Sequence, residues 1–170
     1  IGKDDILAEI SQRSAGITRQ PVLHDIFLGA HFCCVLVMTM TALNLPDHGV
    51  EIRPEPEGDR VFDPVRRRWV ALTPEEWVRQ HVLNYLTYEL ECPASLIAVE
   101  RSLEVNRLVK RADAVVHDRN GAPVLLVECK APSVKLDQRA FEQAARYNTV
   151  FKVPYLLITN GLVHFCCRIG

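Results

Sequence analysis

The sequence has no C-x-x-C, no H-E-x-x-H and no G-x-x-x-x-G-K-[ST], and each absence closes a class of function. Its six cysteines are Cys33, Cys34, Cys92, Cys129, Cys166 and Cys167, including two adjacent pairs, so the ligand spacing of a structural zinc site is missing. Buried thiols in a reducing cytosol are their simplest account. The six histidines are scattered, and none is assigned a metal. Without a phosphate-cradling loop, any ATP-driven translocation has to come from another polypeptide. A net charge of −1 gives no bulk electrostatic argument for nucleic acid. Contact with DNA would rest on local runs such as Arg66-Arg67-Arg68 and Lys110-Arg111, for which a solvated face is the plainer reading. No block repeats and no segment is of low complexity. A chain of 170 residues suits one domain with a sizeable core.

What is present centres on Arg111–Ala131, RADAVVHDRNGAPVLLVECKA. Two strands, Arg111–Asp118 and Ala122–Ala131, flank Asn120-Gly121, a pair suited to a type I′ turn because both central residues need positive φ. With that pair as a two-residue loop, Arg119 faces Ala122 and Asp113 falls opposite Glu128. Opposed residues lie about 4.5–5.5 Å apart at Cβ on one face, and the strand period of two adds Lys130 to that face. Val124-Leu125-Leu126-Val127 is apolar on both faces, as in a buried central strand, yet it ends in two charges. Those charges either form a salt bridge at the sheet's edge or serve a site, and the hairpin alone leaves both readings open.

Around this hairpin the chain alternates helix and strand signals. Residues 46–58 are polar and rich in Pro and Gly, which predicts a loop. Arg60–Phe62 and Arg68–Leu72 are expected to pair around Asp63-Pro64. Thr73-Pro74-Glu75-Glu76 is a strong helix start, with Thr73 as N-cap, Pro74 in the first turn and Glu76 completing a capping box. That helix is expected to run to about Leu90, with Trp77, Val78, Val82, Tyr85 and Leu86 on its apolar side. A strand at 95–106, the hairpin, a helix over 136–151, and strands at 154–159 and 162–168 follow. The order predicts an α/β fold with a mixed sheet.

The N-terminal stretch is different. Ile26–Leu45 contains no Asp, Glu, Lys or Arg and is long enough to span a bilayer. His31, Thr39, Thr41 and Asn44 dilute it, and no signal-peptide n-region precedes it, so a membrane is not expected. The end at Gly170, directly after a strand-like run, reads as that of a fragment.

Asp113 followed by Glu128-Cys129-Lys130 resembles the PD-(D/E)XK nuclease motif. More narrowly, LLVECKAPSVKL with FEQAARYN and LLITNG resembles the N-terminal nuclease domain of type I restriction enzyme R subunits. The likeness covers roughly residues 43–168, and Ala112 stands where the motif's name has proline. It implies a restriction-endonuclease-like nuclease domain over 43–170, with a central mixed β-sheet flanked by helices, and a leader over 1–42 outside the match. It also implies a metal-dependent deoxyribonuclease of restriction or repair type, the alternative being a catalytically silent nucleic-acid-binding module of the same fold. The partners implied are DNA and a separate motor or specificity subunit, with a homodimer left open. A third reading is a structural protein with an edge salt bridge.

The chemistry explains why such residue types are needed. A phosphodiester is anionic and repels hydroxide; carboxylate-bound hard cations neutralise developing charge and lower the pKa of a bound water. Asp113, Glu128 and the backbone carbonyl of Cys129 would offer an all-oxygen site suited to Mg²⁺, with Mn²⁺ as a substitute. The resemblance gives Lys130 the role of orienting water or stabilising charge. It also places Gln143, with Tyr147 one turn further on the same helical face, beside the site, and Glu76 as a further carboxylate. Glu76 thus carries two readings, helix cap or ligand, with Glu75 one position round the helix as a weaker substitute.

Overall fold

The computed structural model describes residues 40–105, 108–139, 142 and 152–169. The chain first lays down a small antiparallel sheet, β1 (Ile52–Arg53), β2 (Arg60–Asp63) and β3 (Arg68–Ala71), in that order. The β2–β3 hairpin is the expected one. β1 corrects the loop expected over 46–58, since Ile52 and Arg53 pair with Val61 and Arg60.

Helix α1 (Pro74–Asn84) starts where its cap predicts: the Thr73 hydroxyl accepts from the Glu76 N–H at 3.0 Å. The helix widens into a π turn over Tyr85–Glu89, closed by Leu90 N–H donating to Tyr85 O at 3.1 Å. This agrees with the expected end near Leu90.

Five further strands form the main sheet: β4 (Ile97–Val105), β5 (Leu108–His117), β6 (Pro123–Cys129), β7 (Tyr155–Thr159) and β8 (His164–Arg168). They lie in sequence order, antiparallel except for the parallel pair β6–β7. A parallel pair needs a crossover, and residues 130–154 supply it. Helical structure begins there at Gln138, with Arg139 N–H donating to Asp137 Oδ1 at 3.0 Å. Most of the helix expected over 136–151 lies outside the described residues, as do Gln143, Tyr147 and nearly all of the 1–42 leader. The mixed sheet with α1 on one face is the expected α/β layout.

The core explains why β6 is apolar throughout. Val78, Val82 and Leu83 of α1, with Leu86 of the π turn and Leu90 at its end, pack with Leu125, Val127 and Cys129 of β6 and Ala114 and Val116 of β5. On the opposite face Leu126 meets Val115, Leu156 and Ile158. Fully burying a leucine such as Leu126 contributes about 1.5–3 kcal/mol.

The β5–β6 turn is not type I′. Asp118 pairs with Ala122, and the Asp118 carboxylate caps the N–H groups of Asn120 and Ala122 at 2.9 Å each. Only Gly121 takes positive φ, at 79°, as in a three-residue loop closed by a left-handed glycine. A bulge between Val116 and His117 then shifts the ladder by one residue, so Ala114 pairs with Val127. The expected register is reached by two offsets that cancel.

Candidate active site

At the C-terminal end of β6 the ladder ends at Ala114–Val127, and Asp113, one residue beyond, lies beside Glu128. The Asp113 carboxylate accepts from the Cys129 backbone N–H at 2.6 Å through Oδ2. A side chain thus takes the place of a strand partner. The alternation of β5 breaks here as well: Ala114 packs on the α1 face, whereas Ala112, two residues away, packs on the other. Lys130 follows the strand and donates through Nζ to Glu128 Oε1 at 2.6 Å.

The segment Thr159-Asn160-Gly161 holds this end of the sheet in position. Lys130 N–H donates to Thr159 O at 2.8 Å, and Asn160 Nδ2 donates to Val134 O at 2.9 Å, tying down the chain just beyond Lys130. Asn160 Oδ1 accepts from Leu162 and Val163 N–H, which closes a turn between the strands expected at 154–159 and 162–168. Gly161 has φ of 81°, a backbone conformation that favours glycine, and a Cβ there would also displace the Leu43 methyl that lies 2.6 Å away.

Glu76 goes elsewhere. Its carboxylate accepts from Arg66 Nη2 at 2.6 Å and Gln80 Nε2 at 2.7 Å, and is paired with Arg79 Nη1. The reciprocal half of the capping box is not made, because Thr73 N–H donates to Ala71 O instead. Arg79 stands between Glu76 and the sheet and donates through Nη2 to Asp113 Oδ1 at 2.6 Å. Asp63, fully buried, accepts from Arg66 Nε at 2.6 Å and Gln80 Nε2 at 2.9 Å. Glu75 lies closer in effect to the strand end: Arg79 Nη2 reaches it at 3.4 Å, and its charge acts on both Glu128 and Lys130.

Sequence reasoning missed Arg66, Arg79, Gln80 and Asp63 as neighbours of the site. The spacing of Glu76, Arg79 and Gln80, three and four residues apart on one helix, is the signal that could have found part of this network. Arg66 and Asp63 meet α1 only through tertiary packing.

Burial lifts the Glu128 carboxyl from its ordinary 4.5 to about 7, with the Asp113 charge adding to the rise and Lys130 opposing it. Burial works against the charge of Lys130, but its bond to Glu128 and the nearby carboxylates outweigh this and raise its pKa. Arg79 is raised likewise, with Asp113 and Glu76 outweighing desolvation. The Cys129 thiol is pushed up by burial first and by Asp113 next, so it stays protonated.

A hard divalent cation suits this donor set. Glu128 Oε2 is buried and meets no hydrogen-bond donor among the described residues, an arrangement that ordinarily costs about 1–3 kcal/mol. A carboxylate has roughly four lone-pair sites, and Asp113 uses only one on each oxygen in the bonds to Arg79 and Cys129. Mg²⁺ takes one or two carboxylates and keeps several waters, so these two side chains with the Cys129 carbonyl fit it. Among the described residues no three His, Cys, Asp or Glu side chains are grouped to hold a metal, consistent with Glu76 facing the arginines.

No curated protein searched matches the chain. A family model does match, that of the type I restriction enzyme R protein N terminus, over residues 74–170. The match runs from the start of α1 through β8 and includes Asp113, Glu128, Lys130 and the Thr159–Gly161 turn. Covering more than half of the sequence, it shows that the protein belongs to this restriction-enzyme family.

Proposed function

We propose that this domain is a metal-dependent nuclease that hydrolyses phosphodiester bonds of DNA. The observation that carries the reading is Glu128: a buried carboxylate with one oxygen on Lys130 and the other, among the described residues, without a donor, beside Asp113. Asp113, Glu128 and the Cys129 carbonyl would hold Mg²⁺, with Mn²⁺ able to replace it. When bound, the cation neutralises charge on the phosphate and lowers the pKa of its water.

The chain's own residues do the rest. The Cys129 N–H and Arg79 fix the Asp113 carboxylate from two directions. Lys130, kept cationic by Glu128, presents an ammonium to the attacking water or to the charge gathering on the phosphate oxygens. Arg79, buried and held by Glu76, keeps α1 registered against the strand end. Glu76 is a support for Arg79 in this reading. Gln143, outside the described residues, remains the proposed neighbour that positions DNA or Lys130. These 170 residues contain no P-loop, so a motor or a sequence-specificity function would come from outside them, for example from a separate subunit.

A second reading, a DNA-binding module without turnover, has one observation in its favour: both Asp113 oxygens already have partners. Incubating the purified chain with circular single- and double-stranded DNA, in Mg²⁺ or in EDTA, separates the two. Cleavage in Mg²⁺ alone is expected. Binding with no cleavage in Mg²⁺ or Mn²⁺ would favour the silent module.

A further inference from the structure

We propose that the Glu100 carboxylate holds the place of a DNA backbone phosphate, and that Arg68 and Arg111 form the phosphate-binding pair beside Asp113. The proposal rests on the reading of the chain as a DNA-acting protein and adds where the backbone is gripped. Four guanidinium groups converge on Glu100. Arg66 Nη1 lies 2.6 Å from Oε2 and Arg68 Nη2 3.6 Å from it, while Arg79 Nη1 lies 3.5 Å from Oε1, which is also paired with Arg111.

The four are not equivalent. Arg79 is buried and Arg66 is 11% exposed, and both have other carboxylates, Asp63, Glu76 and Asp113. Arg68 and Arg111 are 61% and 56% exposed, and among the described residues Glu100 is the acid each pairs with. Glu100 itself is 20% exposed, but a pair whose arginine stands this far in water contributes little. Guanidinium, by contrast, matches a phosphate with two parallel donors. The exchange of Glu100 for a phosphate at these two arginines is therefore an easy one.

The backbone supports a special role for Glu100. The β4–β5 ladder pairs Val99 with Ala114 and Arg101 with Ala112, yet Glu100 between them has φ of 54°. A non-glycine residue in the left-handed region inside a strand is a local departure of the kind that collects at functional sites. It sets the carboxylate among the arginines, across the ladder from Asp113. Arg79 touches both Glu100 and Asp113. A phosphate held by Arg68 and Arg111 thus sits one guanidinium away from Asp113, where a flanking phosphate of the reacting strand belongs. Arg66 and Arg68 from one basic run and Arg111 from the other, far apart in sequence, are joined here, and the net charge of −1 is no obstacle to a local grip of this kind.

The test is fluorescence anisotropy of a labelled DNA duplex with the whole chain in EDTA, where nothing is cut, across 50 to 200 mM salt. Arg68→Gln/Arg111→Gln changes exposed side chains and leaves the buried network in place. It is expected to weaken binding whatever the DNA sequence, and to make the log–log salt slope shallower by about 2, roughly one per phosphate-contacting cation. Glu100→Gln is expected to tighten binding several-fold. An unchanged slope in the double variant overturns the phosphate pair. Unchanged or weaker binding by a folded Glu100→Gln overturns the placeholder role. Glu100 also compensates Arg66 and Arg79, so should Glu100→Gln melt early, the arginine variants decide alone. The nuclease reading fails separately: an arginine-dependent slope with circular DNA uncut in Mg²⁺ keeps the phosphate site and removes the enzyme. A wild-type slope in the double variant, with full cutting, removes the site and keeps the enzyme.

Discussion

Glu76 and Glu128 are equally buried, at 6% and 5% exposure, and lie on either side of Arg79 and Asp113. Their surroundings differ in kind. Glu76 is met by Arg66, Arg79 and Gln80, so its charge is compensated and its oxygens are occupied. Among the described residues Glu128 has Lys130 on one oxygen and no donor on the other, with Asp113 as a like charge nearby. Burial alone does not tell a supporting carboxylate from a reactive one. The number of donors does, because a buried charge is tolerated only when paired, and one left half-paired is available for a ligand.

The sharpest way to break this contrast is to remove each carboxylate without changing its size. Glu128→Gln and Asp113→Asn are expected to abolish metal-dependent cleavage, and Lys130→Met to lower it by about 10²–10³-fold, the usual effect of losing one charge-stabilising donor. Glu76→Gln is expected to keep cleavage per folded molecule. Loss of cleavage in folded Glu76→Gln as complete as in Glu128→Gln would erase the distinction.

Stability is expected to reverse the order. Glu76→Gln leaves Arg66 and Arg79 short of a carboxylate in a buried setting, a change that costs about 3–5 kcal/mol. Glu128→Gln, in EDTA at pH 7, is expected to cost little or to stabilise. Urea unfolding of the two variants checks this, and equal losses would contradict it.

A smaller effect lies in the pH dependence. Folded Glu128 keeps its proton up to about pH 7, whereas the unfolded chain gives it up near the ordinary 4.5. Between those values the native state binds more protons, so stability contributed by this group is complete below about 4.5 and is lost as pH rises through 7. At about 1.4 kcal/mol per tenfold change in proton affinity, the whole span is roughly 3 kcal/mol. Unfolding in EDTA from pH 5 to 7.5 should show wild type losing stability over a window in which Glu128→Gln does not. Parallel profiles would place the raised carboxyl elsewhere.

Much of this contrast was legible in the sequence, and its gaps have physical causes. The apolar run Val124–Val127 ending in Glu128-Cys129-Lys130 marked a central strand with charges at its tip. Thr73-Pro74 marked the start of α1. Asp113 met Glu128 as counted, although the turn is a three-residue loop and the Val116–His117 bulge restores the register. Periodicity counts residues and cannot see such paired offsets. Whether Glu75 or Glu76 turns toward Asp113 is a matter of one position on a helix, decided by where Arg66 and Arg79 lie. Those arginines reach Glu76 from β2–β3 and from one turn along α1, and Glu100 gathers them from β4. Contacts of that range carry no local pattern. Gln143, legible as a polar residue on an apolar helix, lies outside the described residues.

The central claim is that Asp113 and Glu128 together hold a hard cation, and its most direct test is the melting temperature with and without Mg²⁺ or Mn²⁺. A ligand that binds only the native state stabilises it by about 2.7 kcal/mol at a hundred times its dissociation constant. Wild type is expected to melt higher as the metal is added, and Glu76→Gln to rise from its lower starting point by a similar amount. Asp113→Ala/Glu128→Ala is expected not to respond. A metal-induced rise that persists in this double variant would contradict the account and put the cation elsewhere in the molecule.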